Sequence, residues 1–378
     1  MKTETLNDAS LIRVLIVDDS IVVRKAVSDA LKPDPDIEVV GTAFNGRIAL
    51  EKIPELKPDI LVLDIEMPHC DGFEVLRAIR GQFTKMRVIM FSSLTQRGAM
   101  QTVKALSLGA NDYVLKPSTG TAQCSYSESV KKVASELTPK IKQFGRKSSF
   151  SNSASRSLLK PASNRNPVKL APRHPSRFKP PEIVAIGIST GGPEALARVL
   201  PKLSPGFPVP IVIVQHMPPV FTKLLAQRLD RSANIKVMEG EEGMGLEPGA
   251  AYFAPGGYHM IVRKTQGRVV LSINQAPPEN SCRPAADVLF RSVAEVYGGH
   301  VLGVIMTGMG RDGLEGSRLM RQKGASILAQ DEASSVVWGM PSSVVEEGLA
   351  DQVLPLNELA GSIERCVARG NLLAASMK

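Results

Sequence analysis

Several familiar class markers are missing from this chain. Its four cysteines, Cys70, Cys124, Cys282 and Cys366, are scattered and show no metal-ligand spacing. That excludes a disulfide framework and a cysteine metal site, and it points to a reduced, cytoplasmic protein. No apolar run reaches the roughly 18 residues of a membrane span, so no membrane insertion is expected. Met1 to Ser10 is polar and holds no signal-peptide core. Acidic residues are absent between Lys140 and Pro181, where eleven Lys and Arg fall. Taking those eleven from the formal charge of +9 leaves the remainder at −2, so the basicity belongs to one segment. From Gly145 to Pro181 aromatics are confined to Phe150 and Phe178, too few for a base-stacking platform. Ser, Pro and Asn fill the rest, which is tether composition, and no nucleic acid partner is expected.

What is present fits a chain of about two domains. In the first, Leu11–Val17, Ile37–Val40, Asp59–Leu63, Arg87–Phe91 and Tyr113–Leu115 read as buried strands. Helical patterns lie between them, such as Val23, Val27, Ala30 and Leu31 on one face. Strands alternating with helices predict a parallel sheet covered on both sides. Asp18, Asp19, Asp64, Ser92 and Lys116 each follow a predicted strand and so gather at one rim. Clustered carboxylates repel and call for a cation, and oxygen donors suit Mg²⁺. Asp64 is the best phosphoryl acceptor, because a carboxylate can form an acyl phosphate. Ser92 and Lys116 would contact the phosphoryl oxygens.

In the second domain, Gly187-Ile188-Ser189-Thr190-Gly191-Gly192 follows the apolar run Ile183–Ile186 and precedes a helical segment, Pro193–Leu200. A serine between glycines after a strand is a candidate nucleophile. It is equally a candidate helix N-cap. This turn matches neither G-x-G-x-x-G nor G-x-x-x-x-G-K-[ST], so a phosphate cradle is disfavoured. Ile211–Val214 ends near His216, and Val301–Met306 ends in Thr307-Gly308-Met309-Gly310-Arg311-Asp312-Gly313. A hairpin is expected at Met260–Arg263 and Val269–Ile273, around Gly267. Pro284–Tyr297 reads as a helix. Parallel strands would bring Ser189, His216 and Asp312 together as nucleophile, general base and orienting acid. The Gly308-Met309-Gly310 amides would suit an oxyanion hole. The order Ser, His, Asp differs from the Ser, Asp, His of α/β-hydrolases. On spacing alone Asp331 competes with Asp312, Asp312 could merely cap the next helix, and His259 could line the site.

Residues 11 to 130 resemble the response-regulator receiver family of two-component signalling, through Asp18-Asp19, Asp64 before Met67-Pro68, and Lys116-Pro117. The resemblance implies phosphorylation of Asp64 by a histidine kinase. It implies Mg²⁺ held by Asp18, Asp19, Asp64 and the backbone near Glu66, with Ser92 and Tyr113 at switch positions. Residues 181 to about 370 are similar to the methylesterase domain of the chemotaxis protein-glutamate methylesterase family. The matching stretches are the Ser189 turn, Gln215-His216-Met217, Thr307 to Gly313, Ala329-Gln330-Asp331-Glu332 and Gly339-Met340-Pro341. This implies hydrolysis of glutamate methyl esters on methyl-accepting chemoreceptors and deamidation of receptor glutamines. It implies a triad of Ser189, His216 and Asp312 with Thr190 and Met309 beside it, no cofactor for the ester reaction, and a receiver that restrains the esterase until phosphorylated. Two departures stand out. Cys282 stands where a histidine or polar residue is expected, and Gly257-Tyr258 where a charged pair is usual.

The expected fold is α/β. It has a five-stranded parallel flavodoxin-like receiver at 10–130, a basic tether at 131–180, and a doubly wound, mainly parallel methylesterase sheet with a small hairpin at 181–371. The rival reading is a non-enzymatic response regulator whose output domain binds a partner or nucleic acid.

Overall fold

Continuous apolar runs become strands here because a parallel sheet covered on both faces has no solvent side to fill with polar residues. The computed structural model describes residues 11–83, 85–93, 95–116, 125–153 and 179–376. The chain divides into two units, Met1–Asn164 and Arg165–Lys378. Met1 to Ser10, Pro117, and residues 154–178 of the basic segment lie outside the described residues.

The first unit runs β1 (Ile12–Val17), α1 (Ile21–Leu31), β2 (Ile37–Ala43), α2 (Gly46–Leu56), β3 (Ile60–Asp64), α3 (Gly72–Arg80), β4 (Arg87–Ser92), α4 (Gln96–Ser107), β5 (Asp112–Leu115) and α5 (Tyr126–Ser153). The strands pair in parallel in the order β2-β1-β3-β4-β5. The winding reverses between β1 and β3, and ligand crevices of such sheets open at the carboxyl ends there. Ser20, Asn45, Asp71 and Thr95 each accept an amide from the first turn of α1, α2, α3 and α4. Each such cap contributes about 1 kcal/mol.

One boundary differs from the sequence reading, which begins a tether at residue 131. A helix occupies that stretch. Val133, Leu137, Ile141 and Phe144 are buried, at the spacing of one helical face, and α5 packs against α1. The apolar face outweighs the basic, serine-rich composition around it.

The second unit begins with β6 (Ile183–Ile188), α6 (Gly192–Val199), β7 (Ile211–Gln215), α7 (Phe221–Asp230), β8 (Lys236–Glu239) and β9 (Ala250–Phe253). The hairpin β10 (His259–Thr265) and β11 (Arg268–Asn274) follows. Then come α8 (Ala286–Tyr297), β12 (Val301–Ile305), α9 (Leu314–Lys323), β13 (Ser326–Gln330), α10 (Met340–Glu346), β14 (Gln352–Leu354) and α11 (Leu356–Ser376). Seven strands pair in parallel in the order β14-β13-β12-β6-β7-β9-β8. The hairpin turns through Gln266 and Gly267, both at positive φ, as a tight two-residue connection requires. It packs on α8, where the Val262 amide donates to Ser292 Oγ at 3.0 Å. Phe290 of α8 is fully buried, and truncating such a side chain costs about 3–5 kcal/mol. The winding reverses between β6 and β12, so the crevice of this sheet opens after those two strands. Among the described residues no helix is long and apolar enough to cross a membrane.

Candidate active site and acidic pocket

At the rim of the first sheet, β1 delivers Asp18 and Asp19 and β3 ends in Asp64. Asp18 and Asp64 are buried and Asp19 is exposed. Carboxylate oxygens of all three lie within 4.8 Å of one another. Lys116 Nζ reaches Asp18 Oδ2 and Asp64 Oδ2, each at 2.8 Å. The Ile65 amide donates to Asp64 Oδ1 at 2.7 Å. Burial raises the pKa of Asp64 to about 6, against the pull of Lys116 and with a further push from Asp18. Burial also raises Asp18, again opposed by Lys116. A cavity of ≈ 270 Å³ opens here, lined in part by Asp19, Asp64, Glu66, Ser92 and Lys116. Three hard oxygen donors with one lysine to offset them fit a small divalent cation such as Mg²⁺. The Ser92 hydroxyl is tied into α4, receiving Thr102 Oγ1 at 2.5 Å and donating to the Gly98 carbonyl at 3.2 Å. Tyr113 sits in β5 with Lys140 Nζ 5.4 Å from its ring centroid.

At the rim of the second sheet, Ser189 follows β6. Its amide donates to the Thr307 carbonyl at 3.0 Å, and its carbonyl accepts from the Gly192 amide at 2.8 Å and Gln215 Nε2 at 2.9 Å. The helix start belongs to Gly191 at φ +79°, with no side-chain cap. The Ser189 hydroxyl is therefore not spent on α6, and it makes no hydrogen bond among the described residues. Gly308 is glycine for room, since a Cβ there would lie 2.8 Å from Ser189 Cβ. Thr190 is buried, and its carbonyl accepts from Thr307 Oγ1 at 2.9 Å.

His216 follows β7, and its Nε2 lies 2.7 Å from Asp312 Oδ2. Its Nδ1 lies 3.6 Å from Cys282 Sγ. Serine and histidine are thus neighbours at the rim without a hydrogen bond between them, a looseness common in unliganded sites. Asp312, after β12, is the most heavily bonded acid of the site. Oδ2 also accepts from the Ala286 amide at 2.6 Å, while Oδ1 accepts from the Asp287 amide at 3.0 Å, the Gly313 amide at 3.0 Å and Asn280 Nδ2 at 2.9 Å. Ala286 and Asp287 open α8, so the positive end of a helix faces the carboxylate.

Burial opposes charge on the His216 ring, yet its bonds to Asp312 and Cys282 prevail and push the ring up to about 10. Burial likewise opposes charge on Asp312, but His216 and the α8 amides bring it down to about 2. Asp287, buried beside it, is raised to about 6 by burial, with the Gly316 amide and Asn280 pulling down and the Asp312 charge pushing up.

Other candidates from the sequence fall elsewhere. Asp331 accepts from the Ser334 amide at 3.0 Å and Ser334 Oγ at 2.5 Å, a local turn. His259 is fully buried and braces the backbone through the Pro277 carbonyl at 3.1 Å and the Ala285 amide at 3.3 Å. Tyr258 is exposed. The Gly308 amide, expected to face an oxyanion, already donates to the Val337 carbonyl at 2.9 Å. The Met309 and Gly310 amides have no such partner among the described residues. Two features went unforeseen: the α8 amides on Asp312, and the amide of Asn280.

Comparison with known proteins gives the same two-part division. A family model described as CheB methylesterase matches residues 184–363, and one described as response regulator receiver domain matches residues 14–123. A relative from Trichodesmium erythraeum, named protein-glutamate methylesterase/protein-glutamine glutaminase, is 49% identical over 366 residues, 93% of this chain and 98% of its own length. A Nocardioides relative of the same name is 49% identical over 359 residues, 95% of this chain and 96% of its own. The crystal structure of the Thermotoga maritima CheB methylesterase catalytic domain is 43% identical. It covers 49% of this chain and 98% of that one, with a TM-score of 0.48.

Proposed function

The chain belongs to the protein-glutamate methylesterase/protein-glutamine glutaminase family of receiver-bearing chemotaxis enzymes, and on that premise we propose how its residues divide the work. It is a hydrolase of glutamate methyl esters on chemoreceptors, and a non-enzymatic output domain is not favoured. Its receiver takes a phosphoryl group from a kinase, a reaction typically dependent on Mg²⁺.

Ser189 is the nucleophile. Its Oγ attacks the ester carbonyl carbon while His216 accepts the hydroxyl proton. Because Nε2 is committed to Asp312, the accepting atom is Nδ1. Asp312 holds the ring in that tautomer and stabilises the imidazolium. The developing oxyanion is met by the Met309 and Gly310 amides. His216 returns the proton to the leaving methoxide, releasing methanol. Water then enters, His216 takes one of its protons as the oxygen attacks the acyl carbon, and the same proton passes to Ser189 Oγ as the acyl bond breaks, giving the glutamate side chain and the free serine. With a glutamine side chain the same steps release ammonia. Thr190 and Met309 shape the pocket around the acyl carbon.

In the receiver Asp64 is the phosphoryl acceptor. Asp18, Asp19 and Asp64 would hold Mg²⁺, which when bound neutralises phosphoryl oxygens. Lys116 shifts from the carboxylates to the transferred group, and Ser92 and Tyr113 carry the change outward. Phosphorylation then relieves a restraint that the receiver places on the esterase.

The observation that best supports this reading is the 2.7 Å pairing of His216 with Asp312 at the strand ends flanking Ser189. Methanol release from methylated receptor membranes tests it, with and without a small phosphodonor and Mg²⁺. Release that rises with the donor is expected. No release in either condition would overturn it.

A further inference from the structure

The turn Glu279–Cys282 reaches into the site from its open side. Asn280 and Ser281 both sit at positive φ, +51° and +61°. A backbone pair between Glu279 and Cys282 closes the turn, at 3.1 and 2.8 Å. Arg291 of α8 clamps Glu279 through two bonds of 2.7 and 2.5 Å. The turn is thus fixed to the helix whose first amides hold Asp312.

Asn280 is exposed as a residue, but its amide nitrogen points inward. Nδ2 donates one hydrogen to Asp312 Oδ1 and the other to Asp287 Oδ2, each at 2.9 Å. Two buried carboxylates therefore share one donor and can stand no further apart than twice that distance. Like charges so placed repel strongly when water is excluded. Every other partner of Asp312 besides His216 is a backbone amide. Asp287 in turn is anchored by the Gly316 amide at 2.7 Å. Among the described residues Asn280 is the one side chain that hydrogen-bonds to both acids.

We infer that Asn280 is a positioning residue of the hydrolase. By bridging Asp287 and Asp312 it fixes the plane of the Asp312 carboxylate, so that one oxygen faces His216 Nε2 while the other stays held by the bridge. The inference rests on the triad reading of Ser189, His216 and Asp312. Asn280 touches neither substrate nor reacting atom. It acts through Asp312, and Asp287 is the second anchor that fixes the direction of the bridge.

A plain alternative is that asparagine stands here because it tolerates the left-handed backbone. Two substitutions separate the readings, since glycine and aspartate also tolerate it. Asn280→Gly keeps the turn and removes the bridge. Asn280→Asp keeps turn and size but replaces the shared donor with a third carboxylate. The full chain, activated by phosphodonor and Mg²⁺, is assayed for methanol release across pH, with Ser189→Ala alongside and folding followed by thermal unfolding. Expected is a fall in kcat of about tenfold or more for both variants, with KM within about twofold and the fold retained. Added negative charge favours the protonated ring, so the acid limb of the Asn280→Asp profile should move to higher pH. If both variants keep kcat and the pH profile of the parent, the bridge does nothing and the inference falls. If activity is lost only through a raised KM or a lost fold, Asn280 is a binding or folding residue and the inference also falls. Persisting activity in Ser189→Ala would instead overturn the triad reading.

Discussion

Asp64 and Asp312 occupy equivalent places in two different sheets. Asp64 ends a strand and Asp312 follows one, in both cases beside the point where the winding reverses, and each is buried. Burial is the largest influence on both and pushes both toward the neutral acid. Yet Asp64 ends at about 6 and Asp312 at about 2. Donors make the difference. Asp64 has one amide and one lysine, and Asp18 repels it. Asp312 has three amides, an asparagine and a histidine. An acid that must accept a group is left with lone pairs to spare, whereas an acid that must stay charged and still is saturated. On the function proposed above, the same sheet architecture serves control at one rim and chemistry at the other.

The sharpest break of this contrast is at the chemical rim. Ser189→Ala should lower methanol release by on the order of 10⁴ to 10⁶, as loss of a nucleophile does in well-studied hydrolases, with folding unchanged. A folded variant of near-normal rate would remove the chemistry from this rim altogether.

Next comes the saturated acid itself. In Asp312→Asn, an NH₂ must face either His216 and the Ala286 amide or the donors gathered on Oδ1. Either way a donor meets donors, and the histidine tautomer is lost. A fall of about 10³ to 10⁴ is expected. Asp331→Asn should stay within about twofold, because Asp331 only closes a turn with Ser334. A dead Asp331 variant beside an active Asp312 variant would reverse the assignment.

At the underbonded acid the effect is on control rather than chemistry. Asp64→Ala should abolish activation of the whole chain by phosphodonor, while a fragment begun near Pro181, which lacks Asp64 altogether, should be equally active with and without the donor. Its raised pKa also fixes a pH dependence. Below about 6 the carboxyl holds its proton, so Mg²⁺ must displace that proton to bind. As pH rises through that value, the buried group ionises and the receiver loses stability unless a cation joins it. The rise in Tm given by Mg²⁺ should therefore be larger at pH 7.5 than at pH 5. Equal rises at both would mean that Asp64 does not bind the ion.

Both rims were legible from residue type, because chemistry-bearing side chains followed apolar runs that could hardly be anything but buried strands. Asp18, Asp64, Ser189, His216 and Asp312 all lie where that logic puts them. What escaped was carried by backbone or by mixed composition. The amides of Ala286 and Asp287 have no side-chain signature, so the saturation of Asp312 could not be read. Nor could the use of the Gly308 amide by Val337. Asn280 was hidden for a related reason, since an asparagine near a proline-rich stretch reads as a turn. The start of α5 did carry a signal. Val133, Leu137, Ile141 and Phe144 recur at helical spacing, but the basic run beyond them drew the boundary too early.

The smallest expected effect concerns Cys282. Cys282 Sγ stands 3.6 Å from His216 Nδ1, the atom proposed to take the proton of Ser189. Along with Asp312 it raises the pKa of the ring against the effect of burial. A raised histidine favours the folded state below its unfolded value near 6.5, and that gain fades as pH climbs through about 10. The sign for catalysis is the opposite, because the base works only when neutral, so the rate of the parent should climb with pH across the neutral range. Cys282→Ala removes one of the two influences that raise the ring and leaves Asp312 in place. The acid limb of kcat/KM should then move to lower pH, and the variant should outpace the parent most at the acid end, the two converging as pH rises. An acid limb that stays put, in a variant otherwise folded and active, would mean that the thiol does not engage the ring in the working enzyme. The imidazolium would then owe its stability to the saturated acid alone.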